Sequence, residues 1–429
     1  MNHRSALLIA AALLCAVSAY PQQVNVEGDW IAVISFFDAR DYRRLTLHQQ
    51  GSVITGEAGD LKVTGTLSGS NIELEAKPER GEPASFKGVV GNGEMTGDGK
   101  FRGDQVKFRF YRPVARPAGA PLHHKFEPTE FHRYFSNAIP PALHIFPGDT
   151  VETWSVDAGG FDPKNVRRSL GGNPETGPFY IEGALPGDTI AVKFSRIRLN
   201  RDTAISSGRV AAIALNPNYM AGLKHPEKYD SNWKLDREKG VARLANPSDK
   251  LKDYTVPLHP MLGCVGVAPP AKMVYLSGFL GPFGGNMDYN QIREGVTVYL
   301  PVFEPGALLF IGDGHAAQGD GELTGNALET SMDIEFTVEL MRNRSMPGPR
   351  AENDEYLMAM GIGGSLNEAL QASTTSLSRW LEADYGLNPS EIASVLGTSI
   401  QYDIAEVVDP YVNLVAKIRK AALLPVPKK

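Results

Sequence analysis

Cysteine is almost missing from this chain. Its 429 residues contain two, Cys15 and Cys264, so no disulfide framework staples the fold and the core must hold it alone. Dense positive charge is missing too. Lysine and arginine total 43 against 49 aspartates and glutamates, and the net charge is −6 with both signs interspersed. That excludes a nucleic-acid partner, or an anionic membrane, gripped by a basic face. No apolar run is long enough to span a bilayer. Ala6–Val17 has signal-peptide length instead. Arg4 precedes it and Val17-Ser18-Ala19 follows, which predicts a cleaved leader over residues 1–19. The product is then exported, periplasmic or secreted, with no membrane span and Cys264 as its remaining thiol. An uncleaved anchor is the alternative. Finally, no G-x-S-x-G elbow occurs, so a serine nucleophile of that kind has no support.

Length argues for two domains, since single cores usually stop growing below this size. From residue 24 to 112 short apolar runs such as Trp30–Phe36, Val63–Leu67, Phe86–Val90 and Val106–Phe110 alternate with glycine turns. This pattern predicts an up-and-down antiparallel meander, closed as a small barrel or folded as a sandwich. It reads either as a binding accessory or as a stabilising appendage. Residues 113–122, PVARPAGAPL, form a Pro/Ala/Gly linker and the best domain boundary.

The second domain, 123–429, is expected to be β-rich with a few C-terminal helices. The phrase P-G-D-T occurs at Pro147–Thr150 and again at Pro186–Thr189. Each launches a strand, with Asp149 and Asp188 capping the turn amides. Helical spacing predicts helices over Ser365–Leu381 and Pro389–Leu396, and a third over Tyr411–Ile418. Cys264, between glycine and valine in a small-residue strand, reads as a buried hydrophobe. The loop Gly281–Asp288, GPFGGNMD, lacks the lysine and following helix of a phosphate cradle, while its Asn286 and Asp288 suit oxygen ligation of a cation.

The most informative stretch is Gly306–Asp333. An apolar run, Ala307–Ile311, stops at GDGHAAQGDGE, which places Asp313, His315, Asp320 and Glu322 between glycines. A strand with Ile334, Phe336, Val338 and Leu340 on one face then leaves. Alone, such a loop is either a solvated turn or a site. Asp157, at the exit of the strand after Val151, and Glu182, beside a glycine in an apolar strand, need explanation for the same reason: carboxylates near a core require a donor or a cation.

Six phrases occur together and in order: PGDTV, TGPFYIEGALPGDTIAV, GCVGVAP, GGNMD, YLPVFEPGALLFIGDGHAAQGDGE and ALETSMD. In these the chain resembles the acetamidase/formamidase family from about His123 onward. The leader and N-terminal meander are not part of the common family pattern, and Val166–Glu175, VRRSLGGNPE, departs from the segment usual before TGP. The resemblance implies a β-rich amidohydrolase acting on short amides with a divalent metal, assembled as a homo-oligomer.

The residues are compatible with that chemistry. Amide hydrolysis needs an activated water, a partner for the tetrahedral oxyanion and a proton donor for the leaving amine. A divalent metal supplies the first two. The candidate ligands are Asp157, Asp288, Asp313, His315 and Asp320. One imidazole among oxygens suits zinc or manganese, with calcium possible as a structural ion. Glu322 or Glu182 would be the general base, and His259 the proton donor or oxyanion partner. An exported metal-stabilised binding protein, or a hydrolase of a larger formamide, are the other readings.

Overall fold

The computed structural model describes residues 24–79, 81–224, 229–424 and 426–428. The expected leader, 1–19, lies outside them. Among the described residues no helix is long and apolar enough to cross a membrane. The chain divides into two compact units, one ending at Pro113 and the other beginning at Val114.

The first unit is a closed eight-stranded barrel: β1 (Gly28–Phe36), β2 (Ala39–Gln50), β3 (Val53–Ala58), β4 (Leu61–Ser68), β5 (Asn71–Lys77), β6 (Ala84–Gly91), β7 (Glu94–Phe101) and β8 (Asp104–Tyr111). Every strand pairs antiparallel with its neighbour, and β8 returns to β1 with Phe110 opposite Ala32. Closure leaves no free sheet edge. Alternation sends Trp30, Leu47, Ile54, Ile72, Met95 and Phe108 inward. Two strands, β3 and β7, carry only a few inward apolar residues among polar and glycine positions, so their sequence signal is weak. Gly88 and Gly97 face each other across β6 and β7. A Cβ on Gly97 would sit 2.6 Å from the Gly88 Cα, so the close approach there requires glycine. Side chains fill most of the interior, where a void of about 20 Å³ is found. A wider hollow of about 210 Å³ adjoins it, lined by Arg43, Asp60, Leu61, Glu82, Phe101 and Arg102 among others.

The second unit contains two large sheets. Nine strands run in the order Gln401–Glu406, Val412–Arg419, Tyr356–Gly363, Arg350–Glu352, Thr297–Pro301, Thr189–Leu199, Met332–Met341, Thr150–Ser155 and His123–Lys125. Six more follow the order Leu143–Ile145, Thr176–Ile181, Leu309–His315, Met261–Gly266, Gly284–Asn286 and Leu280–Gly281. One apolar cluster draws on both sheets. Phe179 of one meets Phe336 of the other edge to face at 5.2 Å. Both P-G-D-T aspartates act as turn caps. Asp149 accepts from the amides of Leu122 at 2.8 Å and Phe146 at 3.0 Å, and Asp188 accepts from Leu185 at 2.8 Å.

Helix Leu366–Tyr385 buries Ala369, Ser373, Leu377, Trp380 and Leu381. Ser365 caps its N-terminus, and Pro389–Ser399 opens on an Asn388/Glu391 capping box. The expected third helix is instead a strand, Val412–Arg419, paired on both sides. Its near-continuous burial explains the error. A short apolar run fits a buried strand as well as a helix turn, and only the neighbouring strands decide.

Candidate metal and catalytic site

Leu309–His315 is buried from end to end and is flanked by Thr176–Ile181 and Met261–Gly266. It carries Asp313 and His315 out of the core. The loop that follows returns Glu322 and Glu329 to the same place, with Glu329 bridged to His315. Asp288 arrives from the glycine-rich loop. The ligand atoms of Asp288, Asp313 and His315 lie within 4.8 Å of one another, and so do those of His315, Glu322 and Glu329.

His315 Nε2 stands 3.4 Å from Asp313 Oδ2 and 3.2 Å from Glu329 Oε2. Asp288 Oδ1, Asp313 Oδ1, His315 Nε2 and Glu329 Oε2 are all buried without a hydrogen-bond partner. Unpaired buried polar atoms are costly, and a cluster of them needs a shared partner. Space for one exists because residue 263 is glycine. A Cβ there would lie 2.4 Å from Asp288 Oδ1, 2.6 Å from Asp313 Oδ2 and 2.9 Å from His315 Cε1. Oxygen ligands around one imidazole nitrogen are a donor set that a divalent cation fits.

The outer contacts orient this group. Gln318 Nε2 donates to the carbonyls of Asp288, at 2.5 Å, and Ala405, at 3.2 Å. Its Oε1 therefore faces His315 Nδ1, 2.8 Å away, as acceptor. That assigns a proton to Nδ1, so Nε2 is the nitrogen that becomes the donor when a metal displaces its proton. Asn173 Nδ2 donates to Asn286 Oδ1 at 2.9 Å and to Asp313 Oδ2 at 3.1 Å. Asn286 in turn donates to Asp288 and to Asp409, the latter at 2.7 Å.

Among the described residues, His315 is the only group that makes ion pairs with these acids. Burial accordingly pushes Glu322 up to about 8, Glu329 to about 7 and Asp409 to about 6, and drives Asp288 and Glu175 well above the carboxylate range. Burial works against a charged His315, but Glu329 and Asp313 outweigh it and hold the imidazole well above its usual value. Asp288, Asp313 and Glu322 also have left-handed backbones, with φ of 42°, 53° and 46°. Such strain costs on the order of 1–3 kcal/mol per residue and collects at functional sites.

The other expected site residues lie elsewhere. Asp157 is buried, but its Oδ2 is 2.5 Å from the equally buried Arg201 and its Oδ1 accepts from the Phe161 amide. One oxygen is thus held by a buried ion pair and the other by a turn amide. Glu182 follows the far end of Thr176–Ile181 and contacts His144 Nδ1 at 2.7 Å. Asp320 is exposed and accepts from Asn290 at 2.8 Å. His259 is exposed on the wall of a neighbouring hollow. Cys264 is fully buried, with Sγ 3.6 Å from the Ser277 carbonyl. Nothing local in the sequence marks Glu175, Glu406 or Asp409, whereas Glu329 lies in ALETSMD, where a carboxylate among apolar and small residues is the available signal.

A cavity of about 280 Å³ opens on this group, lined by Asn173, Asn286, Asp313, Glu322, Glu329 and Arg133 among others. A separate apolar cleft of about 430 Å³, around Met273, Tyr275 and Phe283, offers no comparable chemistry.

A model described as the Acetamidase/Formamidase family matches residues 282–418. The chain is 43% identical over 61 residues to a putative formamidase of Schizosaccharomyces pombe, a match that spans 14% of this chain and only 15% of that relative. In structure it is similar to an acetamidase from Yersinia enterocolitica, with TM-score 0.61 and 29% identity over 71% of this chain and 94% of that one. A predicted acetamidase/formamidase from Thermoanaerobacter tengcongensis also gives TM-score 0.61, at 25% identity over 72% and 99% of the two chains.

Proposed function

We propose that the chain acts as a member of the acetamidase/formamidase family, whose model matches residues 282–418, and that it hydrolyses a linear amide to a carboxylate and ammonia or an amine, using a divalent metal. The observation that carries this reading is the buried Asp288–Asp313–His315 group, whose ligand atoms lack partners and which adjoins an open cavity. Asp288, Asp313 and His315 would hold the cation, with Glu329 facing the same Nε2 of His315. A cation bound there would supply Lewis acidity toward the amide carbonyl and toward water. Zinc or manganese fits one imidazole among carboxylates better than calcium does.

The chain's own groups do the rest. Gln318 holds the His315 ring in the tautomer that presents Nε2. Glu322 lines the cavity and takes the proton from the attacking water, then returns it to the leaving nitrogen. Asn173 and Asn286, both on the cavity wall, orient the carboxylates by amide donation. The leader expected over residues 1–19 supports export as part of the same proposal.

Ammonia release from short amides, followed while bound metal is quantified before and after chelation, tests the reading. Turnover that disappears with the metal and returns on its restoration is expected. No release from any amide by a fully metallated protein would remove the enzyme reading and leave a metal-stabilised binding protein.

A further inference from the structure

The cavity beside the acid group is not alone. A second hollow of about 530 Å³ shares Glu322 and Asn326 with it as a common wall. Its own lining includes Trp233, Tyr254, Val256, Leu323, Leu328 and His259. Trp233 and Tyr254 meet edge to face at 6.4 Å, and Trp233 Nε1 donates to Ser206 Oγ at 2.9 Å. Ser207, on the same lining, bonds Asn326 Oδ1 at 2.7 Å and so ties the shared wall to this hollow.

Formamide and acetamide are small, with three and four non-hydrogen atoms. Water takes about 30 Å³ in the liquid, so 280 Å³ alone would hold roughly nine waters. Neither small amide would fill that space, and neither would touch Trp233. Ligand pockets lined by aromatic and aliphatic side chains bury apolar groups of matching size. Glu322 and Asn326 line both spaces. The Trp233 hollow is therefore the adjoining space for a large substituent on an amide whose scissile bond faces Glu322.

We propose that the second hollow is a substituent subsite and that the substrate class is an amide bearing an aromatic group. This rests on the amide-hydrolase reading of the neighbouring acid group. The reaction stays balanced with water alone: the carbonyl–nitrogen bond breaks, water supplies oxygen to the carboxylate, and the nitrogen leaves protonated. Phenylacetamide places the ring on the acyl side and N-phenylacetamide places it on the nitrogen side, so the pair determines which half of the substrate enters the hollow.

The experiment compares kcat/KM for acetamide, phenylacetamide and N-phenylacetamide on the metallated full chain, with phenylacetamide and N-phenylacetamide binding measured by calorimetry. At least one aryl amide should exceed acetamide tenfold or more. Trp233→Ala and the more exposed Tyr254→Ala should each cut that preference ratio at least fivefold. Acetamide turnover equal to or above both aryl amides, or a ratio unmoved by both variants, would overturn the subsite. If no amide is turned over, calorimetry separates the two ideas. Aryl-amide binding that Tyr254→Ala weakens would keep the subsite and discard the hydrolase, whereas no binding of either aryl amide would discard the subsite too.

Discussion

At the scale of single residues, the site depends on small choices of side chain. Gly263 is the clearest. Gly263→Ala would put a methyl group among Asp288, Asp313 and His315, so bound metal should fall at least tenfold while the far-ultraviolet circular dichroism stays β-rich. Gln318→Ala removes the acceptor on His315 Nδ1, and the loss of such an outer partner weakens metal binding by roughly 10–100-fold. Gln318→Glu keeps that acceptor but turns the two donations to the Asp288 and Ala405 carbonyls into repulsion, so it should recover little of the loss. Asp157 makes the opposite case. Asp157→Ala leaves Arg201 buried without its partner, and breaking such a pair costs about 3–5 kcal/mol. Chemical denaturation should show that loss, while metal per folded chain stays constant. A matching loss of metal would return Asp157 to the ligand set.

At the scale of elements, the strand Leu309–His315 does the positioning. It is buried on both sides by flanking strands, so Asp313 and His315 leave a rigid support rather than a free loop. This is why GDGH was legible as a candidate. The continuous apolar run, its abrupt stop and the following amphipathic strand are all local signals. Glu175 reaches the same region from the segment before Thr176–Ile181, and Glu406 and Asp409 from the end of strand Gln401–Glu406 and the turn after it; no local pattern links them to GDGH. The helix Leu366–Tyr385 lies behind the sheet as a cover, with Leu377 fully buried in its own apolar cluster. Leu377→Ala should cost about 2–5 kcal/mol in a denaturation experiment and leave the metal affinity of the folded protein within twofold. The misread segment Val412–Arg419 shows the limit of local patterns. Its apolar spacing suits a helix, and its pairing with two strands makes it one of the sheet.

At the scale of the whole molecule, the two units have separate apolar cores, one inside the barrel and one between the sheets. Each core should therefore melt as its own cooperative unit. Calorimetry on the metallated protein should resolve two transitions, and chelation should lower only the one that belongs to residues 114–429. A single transition that moves as one would show the units to be energetically fused. The sequence by itself determined the alternating strands of the barrel, the capped turns at Asp149 and Asp188, the two C-terminal helices and the glycine-framed acids of Gly312–Glu322. All of these follow from spacing along the chain, through backbone geometry and the burial of one face. Only the tertiary structure decided which acids share a site. Asp157 found Arg201, Glu182 found His144, and Glu329 came to His315, because partners for buried charge are chosen by distance in space, which the order of residues does not record.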